Sequence, residues 1–175
     1  MKSFSIPKVL FFIATTILFY TLSFVARGVA FHFAAKNYTN PIFAFEFHLN
    51  TGAAFSLFKD ATFLLAAIGL AILFYIVVYV CYNTWRLSYC VISLFGFLSA
   101  GIAANLFERV SKGYVTDYIK INLFDFPIFN FPDILIVVSC FALIFVYQFA
   151  NARKKYLNKE SNLKVQQNGN EHDDN

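Results

Sequence analysis

Phe131-Pro132-Asp133-Ile134-Leu135-Ile136-Val137-Val138-Ser139-Cys140-Phe141-Ala142-Leu143-Ile144-Phe145-Val146 opens beside a carboxylate and continues as a long apolar run. An ionised acid at membrane depth is costly, so an aspartate at the edge of such a run reads as functional and as needing a partner. A second aspartate, Asp117, lies in Tyr114-Val115-Thr116-Asp117-Tyr118-Ile119, downstream of Asn105-Leu106-Phe107-Glu108-Arg109. Two carboxylates that can converge suggest acid–base chemistry.

Working outward, the rest of the chain is equally apolar. Of 175 residues, 59% are hydrophobic and 14% charged, and the mean hydropathy is +0.60. The charges gather between four apolar runs, at about 8–30, 61–82, 88–107 and 132–150. Each is near the ~20 residues that cross a bilayer. In lipid the backbone must satisfy its own hydrogen bonds, so these runs are expected to be helices. The predicted fold class is therefore integral membrane and all-α, with four transmembrane helices. Residues 1–150 form a single membrane domain. The tail 151–175 is polar, buries no apolar surface and is expected to be disordered. The 24 phenylalanines read as lipid-facing bulk.

Four spans place both termini on one side. Lys2, Lys8, Arg86, Arg153, Lys154, Lys155, Lys159 and Lys164 lie on that side; Arg27, Lys36, Lys59, Arg109, Lys112 and Lys120 lie opposite. Basic residues near span ends stay in the cytoplasm, and the Arg153-Lys154-Lys155 cluster directly after the fourth run weighs most. Both termini are expected to be cytoplasmic, and the net charge of +4 reads as a topology signal, not a nucleic-acid patch. The first run is longer than the apolar core of a signal peptide, so a retained helix is expected. Cys81, Cys90 and Cys140 form no C-x-x-C pair. They read as small buried hydrophobes, with no disulfide or metal site.

The two outer segments carry the remaining signal. Phe43-Ala44-Phe45-Glu46-Phe47-His48-Leu49-Asn50 alternates with period two, which predicts a strand; the register continues through Ala53, Phe55 and Leu57. Its apolar face should lie on the membrane surface, and His48 belongs to the polar face. Gly113 can stop the third helix. A second alternation follows, with Val115, Asp117, Ile119, Ile121 and Leu123 on one face and Thr116, Tyr118, Lys120 and Asn122 on the other. Asp117 thus falls in the apolar register. Pro132 is placed at the first position of the fourth helix and Asp133 at the second, where the helix dipole favours negative charge.

No G-x-S-x-G, H-E-x-x-H or phosphate loop is present, which leaves the carboxylates, with Asn50, Asn105, Arg109 and Asn130 as candidate support. Two neighbouring carboxylates cannot both ionise cheaply, so a pair can hold one shared proton. One member can then activate water while the other protonates a leaving amine. Asp133, at a helix N-terminus, is expected to be the more easily ionised member, and Asp117, on an apolar face, the protonated one.

Three ordered blocks resemble the lipoprotein signal peptidases (signal peptidase II), bacterial membrane aspartic proteases. Asn50-Thr51-Gly52-Ala53-Ala54-Phe55-Ser56 resembles that family's N-x-G-A-A-F-S. Ala104-Asn105-Leu106-Phe107-Glu108-Arg109, with Gly113 to Asp117, resembles G-N-x-x-D-R-x-x-x-G-x-V-x-D, and Phe129-Asn130-Phe131-Pro132-Asp133 resembles F-N-x-A-D. The resemblance implies a small β-cradle and a short helical element on the outer face, beside the four helices. It implies an endopeptidase acting on diacylglyceryl-modified prolipoproteins in the bacterial cytoplasmic membrane, just before the lipidated lipobox cysteine. The active site would face outward, the protein would be a monomer, and neither metal nor cofactor would be needed. Asp117 and Asp133 match the catalytic pair. Asn50, Asn105, Arg109 and Asn130 match polar positions around it, and Gly52, Ala53 and Phe55 match the strand block. The chain departs from the pattern where Ser23-Phe24-Val25-Ala26-Arg27 replaces an Asp-Gln-x-x-Lys run. It departs again at Glu108, Pro132 and Ile134, which replace Asp, Ala and Ser. A non-catalytic lipoprotein-binding paralogue and a small transporter subunit are the alternative readings; a transporter's acids tend to sit near mid-membrane, where no span here carries one.

Overall fold

The computed structural model describes residues 4–52 and 61–173. Ala53 and Phe55, and the register's continuation to Leu57, lie outside the described residues. The chain forms two compact units, Met1–Cys140 and Phe141–Asn175. The first holds helix α1 (Ile6–Ala34), strand β1 (Phe43–Asn50), α2 (Thr62–Asn83), α3 (Tyr89–Lys112), β2 (Val115–Ile121) and the opening turns of α4 (Phe131–Asp173). The second is the remainder of α4. Four helices are long and apolar enough to cross a membrane: Ile6–Ala34, Thr62–Asn83, Tyr89–Lys112 and Phe131–Glu160. At 1.5 Å per residue even α2 spans about 33 Å. Large side chains such as Phe63, Phe74 and Tyr82 are exposed on these helices, as expected of lipid-facing surface. The chain is an integral membrane protein of mostly helical fold.

Local chemistry explains where the helices begin and end. Pro7 stands in the first turn of α1, where its missing N–H is not needed. The Lys8 ammonium donates to the carbonyls of Thr84 and Leu87 at 2.9 and 2.7 Å, tying α1 to the α2–α3 turn. Ser88 caps α3, its hydroxyl accepting from the Val91 N–H. Gly113 ends α3 with φ +82°, a left-handed conformation that costs glycine nothing.

Helix α3 is the hub of the first unit. Gly96, Ser99, Ala100, Gly101 and Ala104 line its buried face, and small residues let helices approach closely in lipid. At Gly101 the approach is tightest: a Cβ there would stand 2.6 Å from the Pro132 carbonyl oxygen and 2.8 Å from Ile136. Gly101 therefore seats the start of α4 against α3.

Both predicted strands form, and they pair antiparallel, with His48 opposite Asp117 and Asn50 opposite Val115. A bulge between Phe45 and His48 shifts the register. Burial departs from the simple alternation. In β1 the buried residue is Ala44, while Phe47 and Leu49 stay exposed. The aromatic face instead stacks on the end of α1, Phe31 against Phe47 and Phe33 against Phe45. In β2 both faces are buried from Val115 to Tyr118, because Thr116 and Tyr118 contact α3 and α4 respectively.

Other expectations change in detail. Among the described residues the outer segments form strands and turns, and the short helix implied by the resemblance is not among them. Of the three free cysteines, Cys90 and Cys140 are exposed and Cys81 half-buried. Helix α4 continues past residue 150 to Asp173, where composition had suggested a disordered tail. Its first polar turns, Asn151-Ala152-Arg153-Lys154-Lys155-Tyr156-Leu157, contain good helix formers and neither Gly nor Pro; low hydropathy alone does not end a helix.

Candidate active site

Four elements deliver the polar side chains. Asp117 comes from the middle of β2, and Asn50 from the end of β1 beside it. Asn105 and Arg109 lie one turn apart on α3. Asn130 precedes α4, and Asp133 is that helix's third residue. Phe131 is first and Pro132 second, one place later than the sequence suggested. The shift matters little for backbone satisfaction, because the first N–H groups of a helix have no intrahelical partner and the second position can lack one without loss.

The start of α4 is fully satisfied. The Phe131 N–H donates to the Tyr118 hydroxyl at 3.1 Å. The Asp133 N–H donates to Asn130 Oδ1 at 2.9 Å, and the Asn130 N–H donates to Asp133 Oδ2 at 3.0 Å. This is a reciprocal capping box with Asn and Asp in the two roles. Asp133 is thus a capping acid, but only one of its oxygens is spent on the cap. The other, Oδ1, accepts from Asn105 Nδ2 at 2.8 Å.

Asn130 joins the two carboxylates. Its Nδ2 donates to Asp117 Oδ1 at 2.8 Å and to Asn105 Oδ1 at 3.2 Å, while its backbone holds Asp133. The second oxygen of Asp117 accepts from Asn50 Nδ2 at 2.9 Å. Asn50 Oδ1 in turn accepts from the Gly52 N–H, and the Gly52 carbonyl accepts from Arg109 Nη2 at 3.2 Å. Every predicted site residue among those described is therefore gathered into one network: Asp117, Asp133, Asn50, Gly52, Asn105, Arg109 and Asn130. Gly52 contributes backbone only. Ala53 and Phe55 lie outside the described residues.

Burial and charge set the protonation of Asp117, which is 2% exposed. Its pKa is raised to about 7, first by burial and then by the negative charge of Asp133; the amides of Asn50 and Asn130 and the charge of Arg109 pull the other way. Tyr118 is also pushed up, chiefly by burial, so its hydroxyl stays neutral and free to accept from Phe131. A carboxyl that is half-protonated near neutral pH, held by amides to a second carboxylate, can donate a proton to one atom while its partner accepts one from another.

Two contributors carried no sequence signal, and a third carried little. Tyr118 anchors the first N–H of α4, yet a tyrosine in a strand is ordinary. The Thr62 hydroxyl stands within donating distance of two carbonyls, those of Thr51 and Gly113, at 2.8 and 2.9 Å, and so fastens the end of β1 to the end of α3. Glu108 stood out only as a departure from the resembled pattern. It is 6% exposed and pairs with Arg27 and Lys112. A cavity of about 20 Å³, room for one water, lies between Ser23, Arg27, Glu108, Asn105 and Asn130.

A family model described as signal peptidase (SPase) II, Peptidase_A8, matches residues 13–149. Among curated relatives, lipoprotein signal peptidases of Microcystis aeruginosa and Gloeothece citriformis are 34% and 33% identical over 59% of this chain. The chain spans 66% and 64% of those two relatives' length. That of Yersinia enterocolitica is 32% identical over 68% of this chain and 73% of its own length. A solved bacterial membrane enzyme superposes with a TM-score of 0.67 at 23% identity, covering 80% of this chain and 90% of that one. That likeness is one of fold.

Proposed function

The chain belongs to the signal peptidase II family, and we propose that it is an aspartic endopeptidase acting on lipid-modified prolipoproteins. In this reading it cleaves just before the diacylglyceryl-bearing lipobox cysteine, with Asp117 and Asp133 as a catalytic dyad. The substrate class rests on the relatives' name, lipoprotein signal peptidase, and on the motif resemblance. One observation carries the chemistry: Asn130 and Asn105 bind both carboxylates into a single hydrogen-bonded unit. Asp117 has a pKa of about 7 within it.

In the proposed cycle a water lies between the carboxyl groups and the scissile carbonyl. Asp133, whose charge is supported by the Asn105 amide and the helix N-terminus, takes a proton from the water as its oxygen attacks the carbonyl carbon. Asp117 then gives its proton to the leaving amine of the lipidated cysteine. The C–N bond breaks and the signal peptide leaves as a carboxylic acid. The titration belongs to the pair and not to either member alone. Arg109, fixed by the Gly52 carbonyl, keeps the doubly ionised pair within reach at higher pH.

The reading also places the site at the outer end of the spans, both termini in the cytoplasm, and the working unit as a monomer in lipid. Its test is a diacylglyceryl lipobox peptide presented to the protein in lipid vesicles. Cleavage N-terminal to the modified cysteine, dependent on the diacylglyceryl group, supports the enzyme. Tight binding without cleavage would instead make the chain a lipoprotein-binding module.

A further inference from the structure

Glu108 stands one turn before the end of α3, with its carboxylate turned inward. Its Oε2 accepts from the Thr116 N–H at 2.6 Å, and its Oε1 contacts the Thr116 hydroxyl at 3.4 Å. Thr116 is the residue immediately before Asp117. On its other side Glu108 pairs with Arg27 of α1, and with Lys112 at 2.7 Å one turn along α3. The Arg27 guanidinium also lies over the Phe24 ring, 5.1 Å from its centroid. A buried carboxylate so placed does two separable things. Its charge holds α1 to α3, and its oxygen holds the first residues of β2. The small cavity beside it reaches Asn105 and Asn130, so the strut and the amides around the dyad border the same space.

We propose that Glu108 is a positioning residue for the reaction, with Arg27 bracing it from α1. By accepting from the Thr116 N–H it fixes the peptide that aims Asp117. The inference rests on the dyad reading given above. The longer side chain explains the departure from the family's shorter acid: its added methylene lets one carboxylate serve both the α1 cation and the β2 backbone. Losing the acceptor leaves a buried N–H unpaired and frees the strand to turn Asp117. Losing only the charge leaves the strand in place and loosens the helices. Misaiming a catalytic group lowers kcat with little change in substrate binding.

Three variants of the full chain in lipid vesicles, assayed on the diacylglyceryl lipobox peptide, separate the two roles. Glu108→Gln keeps an oxygen for Thr116, and its kcat is expected within about threefold of wild type, with a lower melting temperature. Glu108→Leu removes the acceptor, and its kcat is expected to fall by roughly 10- to 100-fold with KM within about threefold. The exchange Arg27→Glu with Glu108→Arg restores the ion pair but offers Thr116 no acceptor, so it should recover melting temperature without recovering kcat. The proposal is overturned if the exchange restores kcat, or if Glu108→Gln loses as much kcat as Glu108→Leu. Should the exchange fail to insert, the Gln and Leu variants decide between the same outcomes. Asp117→Asn runs alongside: wild-type cleavage by that variant would sink the dyad reading itself, whereas an inactive Asp117→Asn with a fully active Glu108→Leu sinks only the positioning role.

Discussion

Both oxygens of Asp117 accept from side-chain amides, those of Asn50 and Asn130. An amide at position 117 would face two donors with one acceptor, and would have no proton to give. Asp117→Asn is therefore expected to insert normally and to lose about 10²- to 10⁴-fold in cleavage rate. The pKa of about 7 also fixes the direction of pH effects. As a proton donor, Asp117 is competent below that value, so cleavage should fall as pH rises through and beyond 7. For stability, the folded pKa is raised above 3.8, so the folded state binds the extra proton between about 4 and 7. The stabilisation is complete below about 4 and is lost as pH rises through 7. Asp117→Asn should flatten that slope in melting temperature measured across the window. At this scale the sequence was informative where chemistry was costly. Two acids bordering apolar runs were visible because burying a carboxylate needs a reason, and the nearby asparagines because few other polar groups were at hand. Tyr118 and Thr62 were invisible because their partners are backbone groups that only the fold brings near.

Glycines set how the elements meet around the site. Gly101 admits the Pro132 carbonyl to within 2.6 Å of where a Cβ would stand, so Gly101→Ala must push α4 away from α3. That overpacking is expected to cost about 1–3 kcal/mol in stability and to reduce cleavage, since Asn105 on α3 and Asp133 on α4 would separate; thermal melting and the peptide assay check both. Gly113 has open space around its α-carbon, so Gly113→Ala meets only the backbone penalty of positive φ, about 1 kcal/mol. The strands were legible from alternation, and the end of α3 from Gly113. Their burial was not legible. Period two predicts one buried face, but β2 is buried on both: Glu108 and the start of α4 reach Thr116 and Tyr118 on one face, and Asn50 and Asn130 hold Asp117 on the other. The bulge in β1 likewise comes from pairing geometry and not from residue type. Helix α4 shows the converse error: polarity ended the apolar run near 150, yet helix-forming residues carry the backbone on to Asp173.

For the molecule as a whole, four spans were countable from length and hydropathy alone, because lipid demands about 20 apolar residues per crossing. How α1 and the start of α4 meet the small-residue face of α3 was not countable, since it depends on which side each helix presents. Orientation remains a proposal resting on the basic residues. With Cys81, Cys90 and Cys140 replaced, Lys120→Cys should react with a membrane-impermeant maleimide added outside intact cells, and Lys154→Cys only after the membrane is opened. The reverse pattern would invert the topology and put the carboxylates on the wrong side for an exported substrate. The most direct test of the dyad is the initial rate of cleavage of a diacylglyceryl lipobox peptide by purified wild-type, Asp117→Asn and Asp133→Asn proteins in vesicles, read by mass spectrometry. The expected result is a cut immediately before the modified cysteine by the wild type alone, with both variants slowed at least about 100-fold; wild-type rates from either properly inserted variant would contradict it.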